Sequence, residues 1–164
     1  MKQTGFIAFA LLAIGFLFYL NYSSKKKEGF SHTVIFTEKA PKPIGPYSQA
    51  ILTGNTLFVA GQVAIDVSTG QLDTSNIENE TKRVLQNILA ILDASKMDMK
   101  NIVKTSIYLT DLSQFKTVNT VYENFLTPYC VTKEGEKNFP ARETVQVAAL
   151  PKGAHIEISV IAVK

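Results

Sequence analysis

Ser48 to Ile65 read SQAILTGNTLFVAGQVAI, and this stretch decides the fold. Two runs rich in aliphatic and β-branched residues, Ser48 to Thr53 and Thr56 to Ile65, flank the pair Gly54-Asn55. Both residues of that pair tolerate the positive φ values that a tight hairpin turn requires. The stretch therefore predicts two antiparallel strands joined by a short turn.

The chain before the hairpin combines a short strand with a stiff irregular segment. Thr33 to Thr37 (TVIFT) has the β-branched and aromatic residues typical of a strand. Glu38 to Pro46 contains three prolines and one glycine, which prevent a regular element and restrict the backbone. We therefore expect a rigid, non-regular connection into the hairpin.

Helical periodicity follows the hairpin. After a loop over Asp66 to Leu72, apolar residues recur at helical spacing from about Asn76 to Ser95, which predicts an amphipathic helix. Ile102 to Leu109 is typical of a strand. Capping residues at Thr110 to Ser113 precede a second amphipathic helix, whose apolar positions run from Phe115 to Phe125.

The last part of the chain predicts a loop and a closing hairpin. Thr127 to Asn138 is interpreted as an irregular loop, and Thr144 to Ala149 and Ile156 to Val163 as two paired strands turned at Pro151 to Gly153. The order β, ββ, α, β, α, ββ predicts an α+β domain with a largely antiparallel sheet and both helices on one face. Because the strands carry apolar residues on both faces, we expect self-association through the uncovered face.

The N-terminal residues predict a membrane segment. The window from Gln3 to Ser24 is uncharged and mostly apolar, and three lysines follow it. At about 1.5 Å of rise per residue, it is long enough to cross a hydrocarbon core of about 30 Å. We therefore predict a single-pass anchor over residues 1–24, a polar linker over 25–31 and a globular domain over 32–164. The lysines favour a cytoplasmic domain; a cleaved signal, giving a periplasmic or secreted domain, is the alternative.

Composition narrows the functional classes. The 164 residues are 46% hydrophobic and 19% charged, which suits one compact domain. The formal net charge of +3 includes Lys2 of the leader, so the remaining chain is nearly neutral and nucleic acid is not an expected partner. Cys130 is the single cysteine, which excludes an intrachain disulfide. No metal-ligand spacing links His32, His155 and Cys130, so we predict no metal site.

Four residues are candidates for a binding site. Arg142 offers a planar fork of donors that suits a carboxylate, although an arginine at a strand end is often only a solvated charge. Glu157 is a lone carboxylate in an apolar strand, where an uncompensated charge is costly. Tyr47 follows the Gly45-Pro46 corner and is presented on stiff backbone, or packs on its own turn. Gly61 interrupts a bulky strand, which often marks the close approach of a ligand or of another backbone.

These candidates recur in a set of ordered motifs. The motifs are Thr37 to Ala50 (TEKAPKPIGPYSQA), Val59 to Gln62 (VAGQ), Val118 to Tyr122 (VNTVY), Phe139 to Arg142 (FPAR) and Ile156 to Ile158 (IEI). Together they closely resemble the RidA (YjgF) family of reactive-intermediate deaminases. The resemblance extends from about Phe36 to Lys164.

The resemblance implies a fold, an assembly and an activity. The fold would be a chorismate-mutase-like α+β domain with a mixed, mostly antiparallel sheet, and the assembly a homotrimer with sites at subunit interfaces. The activity would be hydrolysis of 2-imino or enamine acids, such as 2-iminopropanoate and 2-iminobutanoate, to 2-oxo acids and ammonia. Members of the family need no cofactor, so none is expected.

The resemblance also assigns roles by matching position. Arg142 would bind the substrate carboxylate, and Glu157 would orient or activate the attacking water. It further implies a set of residues that line the substrate pocket: Tyr47, Gly61, Asn119 and Thr144. Thr144 stands where well-known relatives carry cysteine, so no essential thiol is expected.

Two other functions compete with the deaminase hypothesis. A non-catalytic module could use the same arginine pocket to bind small carboxylates such as 2-oxo acids. A ribonuclease or translation inhibitor is a label attached to some relatives. The nearly neutral charge counts against this last function, because RNA binding needs a basic surface or aromatic stacking platform.

Overall fold

The computed structural model describes residues 31–164, and this range contains six strands and two α-helices. In chain order they are β1 Thr33–Ile35, β2 Ala50–Thr53, β3 Thr56–Gln62, α1 Ile77–Ala94, β4 Ile102–Leu109, α2 Phe115–Cys130, β5 Ala141–Gln146 and β6 Ile156–Val163. Short 3-10 helices are formed by Met99–Asn101, Leu112–Gln114 and Pro151–Gly153.

The strands form one six-stranded sheet in the order β1-β2-β3-β6-β4-β5. The predicted hairpin is present as β2 and β3, with Thr53 opposite Thr56 and Gly54 at a φ of +56°. β6 is antiparallel to both β3 and β4, whereas β5 is parallel to β4 at the edge of the sheet. The α+β architecture with a mixed, mostly antiparallel sheet is therefore confirmed.

Both helices cover the same face of the sheet. In β6 the side chains of Ile156, Ile158 and Val160 are buried, and they alternate with partly exposed residues. The buried set packs with the apolar faces of α1 and α2 in one core, which includes Ile88 and Leu126. This alternation assigns even-numbered residues of β6 to the helix-covered face and Glu157 to the open face.

The first helix follows the sequence prediction closely. The side chain of Asn76 accepts a hydrogen bond from the backbone N–H of Asn79 and caps α1 at its N-terminus. The helix ends at Ala94, where Ser95 was the predicted boundary. Since the buried residues recur along one face, burial and capping favour the same helix.

The second helix is longer than predicted. α2 continues through Pro128 to Cys130, so the prediction of a loop that begins at Thr127 is wrong. Tyr122, Leu126 and Cys130 are spaced at helical intervals and are buried, so packing extends the helix past the proline. Proline then removes only one backbone hydrogen bond near the end of the helix.

The predicted closing hairpin is also wrong. β5 and β6 are not neighbours, because β4 lies between them. The connection from β4 to β5 contains α2, which provides the long crossover that a parallel pair needs. β6 takes the interior position between β3 and β4, so its polar backbone groups pair on both sides.

The open face of the sheet carries exposed apolar side chains. Val34 and Phe58 are 57% and 46% exposed, and their strand registers place them in one row with Ile161. Val103 and Val145 are also exposed. The predicted self-association through this face stays a proposal that such a surface supports.

The predicted membrane location is corrected. In residues 31–164 no helix has the length and apolar character needed to cross a membrane. The predicted anchor over residues 1–24 lies outside the described residues, as does the predicted linker except for Ser31. We therefore withdraw the assignment of a membrane-anchored protein with a cytoplasmic, periplasmic or secreted domain.

Candidate active site

Glu157 shares a small cavity with two of the predicted pocket residues. The cavity has a volume of about 240 Å³, and its walls include Tyr47, Gly61, Ile44 and Pro151. Glu157 projects from β6 on the open face of the sheet, next to an irregularity in β3 between Val59 and Gln62. These elements bring Tyr47, Gly61 and Glu157 together.

Gly61 leaves the space that the Glu157 carboxylate occupies. A Cβ atom on residue 61 would lie 1.9 Å from Oε1 of Glu157 and 2.6 Å from its Cδ. Any side chain at this position must displace the carboxylate. The glycine in this strand is therefore explained by the close approach of a side chain.

The electrostatic environment of Glu157 favours its neutral form more than water does. Partial burial raises the pKa of this carboxyl above its usual range. Within residues 31–164 no cation or hydrogen-bond donor offsets that burial. A carboxyl group in this state can exchange protons nearer to neutral pH than an ordinary glutamate.

Gln49 holds the segment that carries Tyr47, and sequence reasoning missed this role. Its side chain is 1% exposed, and Nε2 donates to the carbonyl oxygens of Thr37, Ala40 and Pro41. Its Oε1 accepts from the backbone N–H of Thr37 at 2.7 Å. These bonds hold the proline-rich segment in place beside β3. The sequence carries no signal of this role, because the burial of Gln49 and its hydrogen bonds are visible only in the structure.

Tyr47 borders the cavity with a partly exposed ring. Its hydroxyl accepts a hydrogen bond from the backbone N–H of Ile44 at 3.1 Å, and the side chain is 47% exposed. A Cβ atom on residue 45 would lie 3.4 Å from the ring, so the ring lies close to its own turn. The same ring also borders the cavity.

Arg142 lies in a second cavity on the other side of the sheet. This cavity has a volume of about 490 Å³, and its lining includes Asn119, Tyr122, Phe139 and Arg142. The Arg142 guanidinium carbon lies 5.0 Å from the centre of the Tyr122 ring and 5.8 Å from that of Phe115. The structure thus groups Arg142 with Asn119 against α2.

Thr144 is on the same face of β5 as Arg142, two residues further along. Its register partner is Ile107, which is buried under the helices. Thr144 Oγ1 is buried and has no hydrogen-bond partner among the described residues. A buried hydroxyl without a partner is rare in folded proteins, and a bound molecule is one explanation for it.

The two groups of site residues lie on opposite faces of one sheet. Arg142 pairs with Thr105, whose side chain is buried under the helices, whereas Glu157 pairs with Tyr108. β4 separates the two strands, so their backbones are about 10 Å apart across the sheet, and the three-residue offset adds about 10 Å along it. A molecule as small as an imino acid cannot contact both residues of one chain.

His155 and Cys130, which the sequence analysis does not assign to the site, lie outside both cavities that contain predicted site residues. His155 donates its backbone N–H to Oε1 of the fully buried Glu80, and its Nδ1 lies 3.0 Å from Oε2. Cys130 is buried, and burial raises the pKa of its thiol. Within residues 31–164, no group of three or more His, Cys, Asp or Glu side chains is arranged to hold a metal ion.

Comparison with known proteins identifies the family. The family model described as endoribonuclease L-PSP matches residues 37–164. The human protein named 2-iminobutanoate/2-iminopropanoate deaminase is 44% identical over 131 residues, which cover 80% of this chain and 89% of the human protein. The chain belongs to the RidA (YjgF) family.

Other members of the RidA family are similarly close in sequence and structure. A RutC family protein of Pyrococcus abyssi is 49% identical over 131 residues, covering 80% of this chain and 96% of that protein. The crystal structure of the YjgF gene product from E. coli has a TM-score of 0.73 and 39% identity, covering 80% of this chain and 98% of that one. E. coli TdcF with bound serine has a TM-score of 0.72 and 35% identity over a similar range.

Proposed function

We propose that this protein hydrolyses 2-imino acids, such as 2-iminopropanoate and 2-iminobutanoate, to 2-oxo acids and ammonia. The observation that carries the proposal is the pair of complementary groups left unpartnered within the described chain. Among residues 31–164, Arg142 has no carboxylate partner, and Glu157 has no cation or donor. Relatives named for this deaminase activity, at 44% and 45% identity, support the same substrate class.

Arg142 is the group that holds the substrate. Its guanidinium can donate two parallel hydrogen bonds to the carboxylate of the imino acid. This contact fixes the electrophilic carbon next to the anchored carboxylate. Asn119 lines the same cavity and provides a further polar contact, and Thr144 lies on the same face of β5 as Arg142.

Glu157 is the group that accepts and donates protons during the reaction. Its carboxylate takes a proton from water as the water oxygen bonds to the carbon of the protonated imine, and the electron pair of the C=N bond moves to nitrogen, which becomes an amine. The carboxyl then returns that proton to nitrogen, and the C–N bond breaks. Ammonia leaves as the C=O bond of the 2-oxo acid forms, and the Glu157 carboxylate takes the hydroxyl proton and releases it to solvent. Since the imine carbon is already electrophilic, positioning and proton transfer are sufficient and no covalent nucleophile is needed.

The active site is formed between copies of the chain. Arg142 and Glu157 of one chain face opposite sides of the sheet, so one substrate needs Arg142 from one copy and Glu157, with Tyr47 and Gly61, from its neighbour. We propose the homotrimer that the family resemblance implies. The exposed apolar side chains of the open sheet face, among them Phe58, support association through this surface.

The test generates 2-iminopropanoate in situ and follows its disappearance above the uncatalysed rate. Arg142→Ala is expected to lower kcat/KM by at least about 30-fold through loss of carboxylate binding. Glu157→Gln is expected to lower kcat by at least about 100-fold through loss of proton transfer. Arg83→Ala, which removes an arginine paired with Asp66 at 3.0 Å, is the matched control.

The outcomes separate the competing functions. Equal imine decay with wild type and Arg142→Ala would eliminate the deaminase. Tight binding of a 2-oxo acid without hydrolysis would instead support the carboxylate-binding module. RNA cleavage that follows the protein through purification and persists in Arg142→Ala would support the ribonuclease.

A further inference from the structure

Arg142 is held against the protein by aromatic rings rather than by an acid. Its guanidinium carbon is 5.0 Å from the centre of the Tyr122 ring and 5.8 Å from that of Phe115. Both distances are within the range of about 6 Å for a cation–π contact. No described residue forms an ion pair with Arg142.

This arrangement leaves the donors of Arg142 available. A guanidinium that lies over a ring uses its flat face, while its N–H groups project from its edges. A carboxylate partner in the chain would instead occupy those N–H groups and would compete with a substrate. Contact with the two rings therefore holds the cation while no described acid occupies the atoms that bind an anion.

The side chain of Tyr122 is held by burial and by a contact of its hydroxyl with Thr105. Its side chain is 5% exposed, and its hydroxyl lies 3.0 Å from Oγ1 of Thr105, which is fully buried. Thr105 is also the register partner of Arg142 on the neighbouring strand β4. One strand pair therefore places the anchor of the ring and the cation over the ring next to each other.

We propose that Tyr122, whose ring contacts Arg142, is the positioning residue that presents Arg142 to the carboxylate of the ligand. The proposal rests on the proposed function only in that Arg142 binds a carboxylate. It requires neither the hydrolysis step nor Glu157. Tyr122 acts through Arg142, and its ring is the part that matters.

The experiment measures binding and turnover separately. Binding is measured by titration calorimetry with 2-oxobutanoate, a stable 2-oxo acid, and turnover is measured with 2-iminopropanoate generated in situ. Tyr122→Leu removes the ring and is expected to weaken 2-oxobutanoate binding and raise KM by about tenfold, with kcat changed by less than about threefold. Tyr122→Phe keeps the ring and is expected to stay within about threefold of wild type in both constants.

A double-mutant cycle shows whether the ring acts through Arg142. In an Arg142→Ala background, Tyr122→Leu is expected to change the remaining affinity by less than about twofold, because the group it positions is gone. Tyr129→Leu, which removes a ring from an exposed position of α2, is the matched control and is expected to leave binding unchanged. Thermal melting and oligomeric state are recorded for every variant.

The proposed role of Tyr122 can be tested even if Tyr122→Leu does not fold. If Tyr122→Leu does not fold, Phe115→Leu removes the more exposed of the two rings and is expected to weaken binding about threefold. Loss of binding in Tyr122→Phe as large as in Tyr122→Leu would overturn the proposal, and so would additive effects in the cycle. An unchanged affinity in folded Tyr122→Leu, or in Phe115→Leu where that variant replaces it, would overturn it as well.

Failure of the proposed function is distinguishable from failure of this inference. A wild-type protein that binds 2-oxobutanoate but does not hydrolyse the imine contradicts the deaminase and leaves the affinity test of Tyr122 intact. A wild-type protein that binds no 2-oxo acid contradicts both proposals.

Discussion

Two variants of strongly reduced activity are expected to restore each other's activity when their chains share an oligomer. Arg142→Ala keeps Glu157, and Glu157→Gln keeps Arg142. Because these side chains face opposite sides of one sheet, a substrate on Arg142 of one copy is expected to meet Glu157 of its neighbour. A mixed oligomer therefore contains some interfaces at which both residues are intact.

The size of the restored activity follows from the geometry. The offsets across and along the sheet separate the two backbone positions by about 14 Å, and the side chains point to opposite faces. Since the carboxylate carbon and the imine carbon of the substrate are bonded to each other, the two residues of one chain cannot act on one molecule. After random mixing in equal amounts, each interface has both intact residues with a probability of one half for each, so about one quarter of wild-type activity is expected.

The assay uses two affinity tags. The variants are co-expressed with different tags, mixed oligomers are isolated by two successive purifications, and decay of 2-iminopropanoate is followed. Purification on both tags removes the uniform oligomers, so the quarter applies to an unselected mixture and the doubly tagged fraction exceeds it. Across mixing ratios, the activity of the unselected mixture is expected to follow the product of the two variant fractions, with its maximum at equal amounts.

The control pairs Arg142→Ala with a chain that carries both substitutions, Arg142→Ala and Glu157→Gln. This mixture has no intact arginine at any interface, so it is expected to remain inactive. Mixed oligomers of the two single variants that show only this background activity would refute the shared site. The same result would contradict the inference that Arg142 and Glu157 of one chain lie too far apart to act on one substrate molecule.

Three further perturbations test single contacts. Gly61→Ala places a Cβ 1.9 Å from Oε1 of Glu157 and is expected to lower kcat at least about tenfold, while 2-oxo acid binding at Arg142 changes little. A folded Gly61→Ala variant with wild-type activity would contradict this role of the glycine. Because burial raises the pKa of Glu157 above its usual value of 4.5, the native state holds its proton more tightly than the unfolded chain does, so wild-type stability falls as pH rises from that value. Glu157→Gln is therefore expected to exceed wild type in urea unfolding at about pH 8 and to match it near pH 4, and parallel curves would contradict the burial effect. Gln49→Leu leaves three carbonyl groups without their donor and is expected to lower the free energy of unfolding by about 2 to 4 kcal/mol. The control Gln71→Leu, at an exposed position, is expected to change the free energy of unfolding by less than about 0.5 kcal/mol.

Local signals predicted the elements better than their arrangement. The β2–β3 hairpin and α1 agree with the sequence because turn chemistry, capping and hydrophobic periodicity act over a few neighbouring residues. The end of α2 was misplaced because Pro128 is a local stop signal, and the packing of Cys130 against the core overrides it. Tertiary contacts therefore decided the places where local rules failed.

The order of the last strands could not be derived from the sequence pattern. Two strands separated by a short turn predict a hairpin, but β5 pairs with β4 through the crossover that contains α2. The alternation in Ile156–Val163 fits an interior strand as well as a hairpin strand. Only the complete sheet decides between them, since each strand takes the neighbours that satisfy its backbone groups.

The site residues were predicted individually, but their separation was not. A motif gives the identity of Arg142 and Glu157, whereas the face on which each lies depends on strand register. Tyr122 and Gln49 act through other residues, and sequence alone cannot distinguish such support from ordinary core packing. Their roles become visible only through the contacts that they make.

Keeping Arg142 and Glu157 apart within one chain has a chemical consequence. If the two side chains met without substrate, they would form an ion pair, which would lower the pKa of the carboxyl and occupy the donors of the guanidinium. The sheet prevents that pairing, so burial raises the pKa of Glu157 while Arg142 rests on the Tyr122 ring with its donors free. In an oligomer with a site between copies, the carboxylate of the substrate can then take the position between the cation and the acid. Within one chain, the separation thus keeps Glu157 from forming an ion pair with the cation that binds the substrate carboxylate.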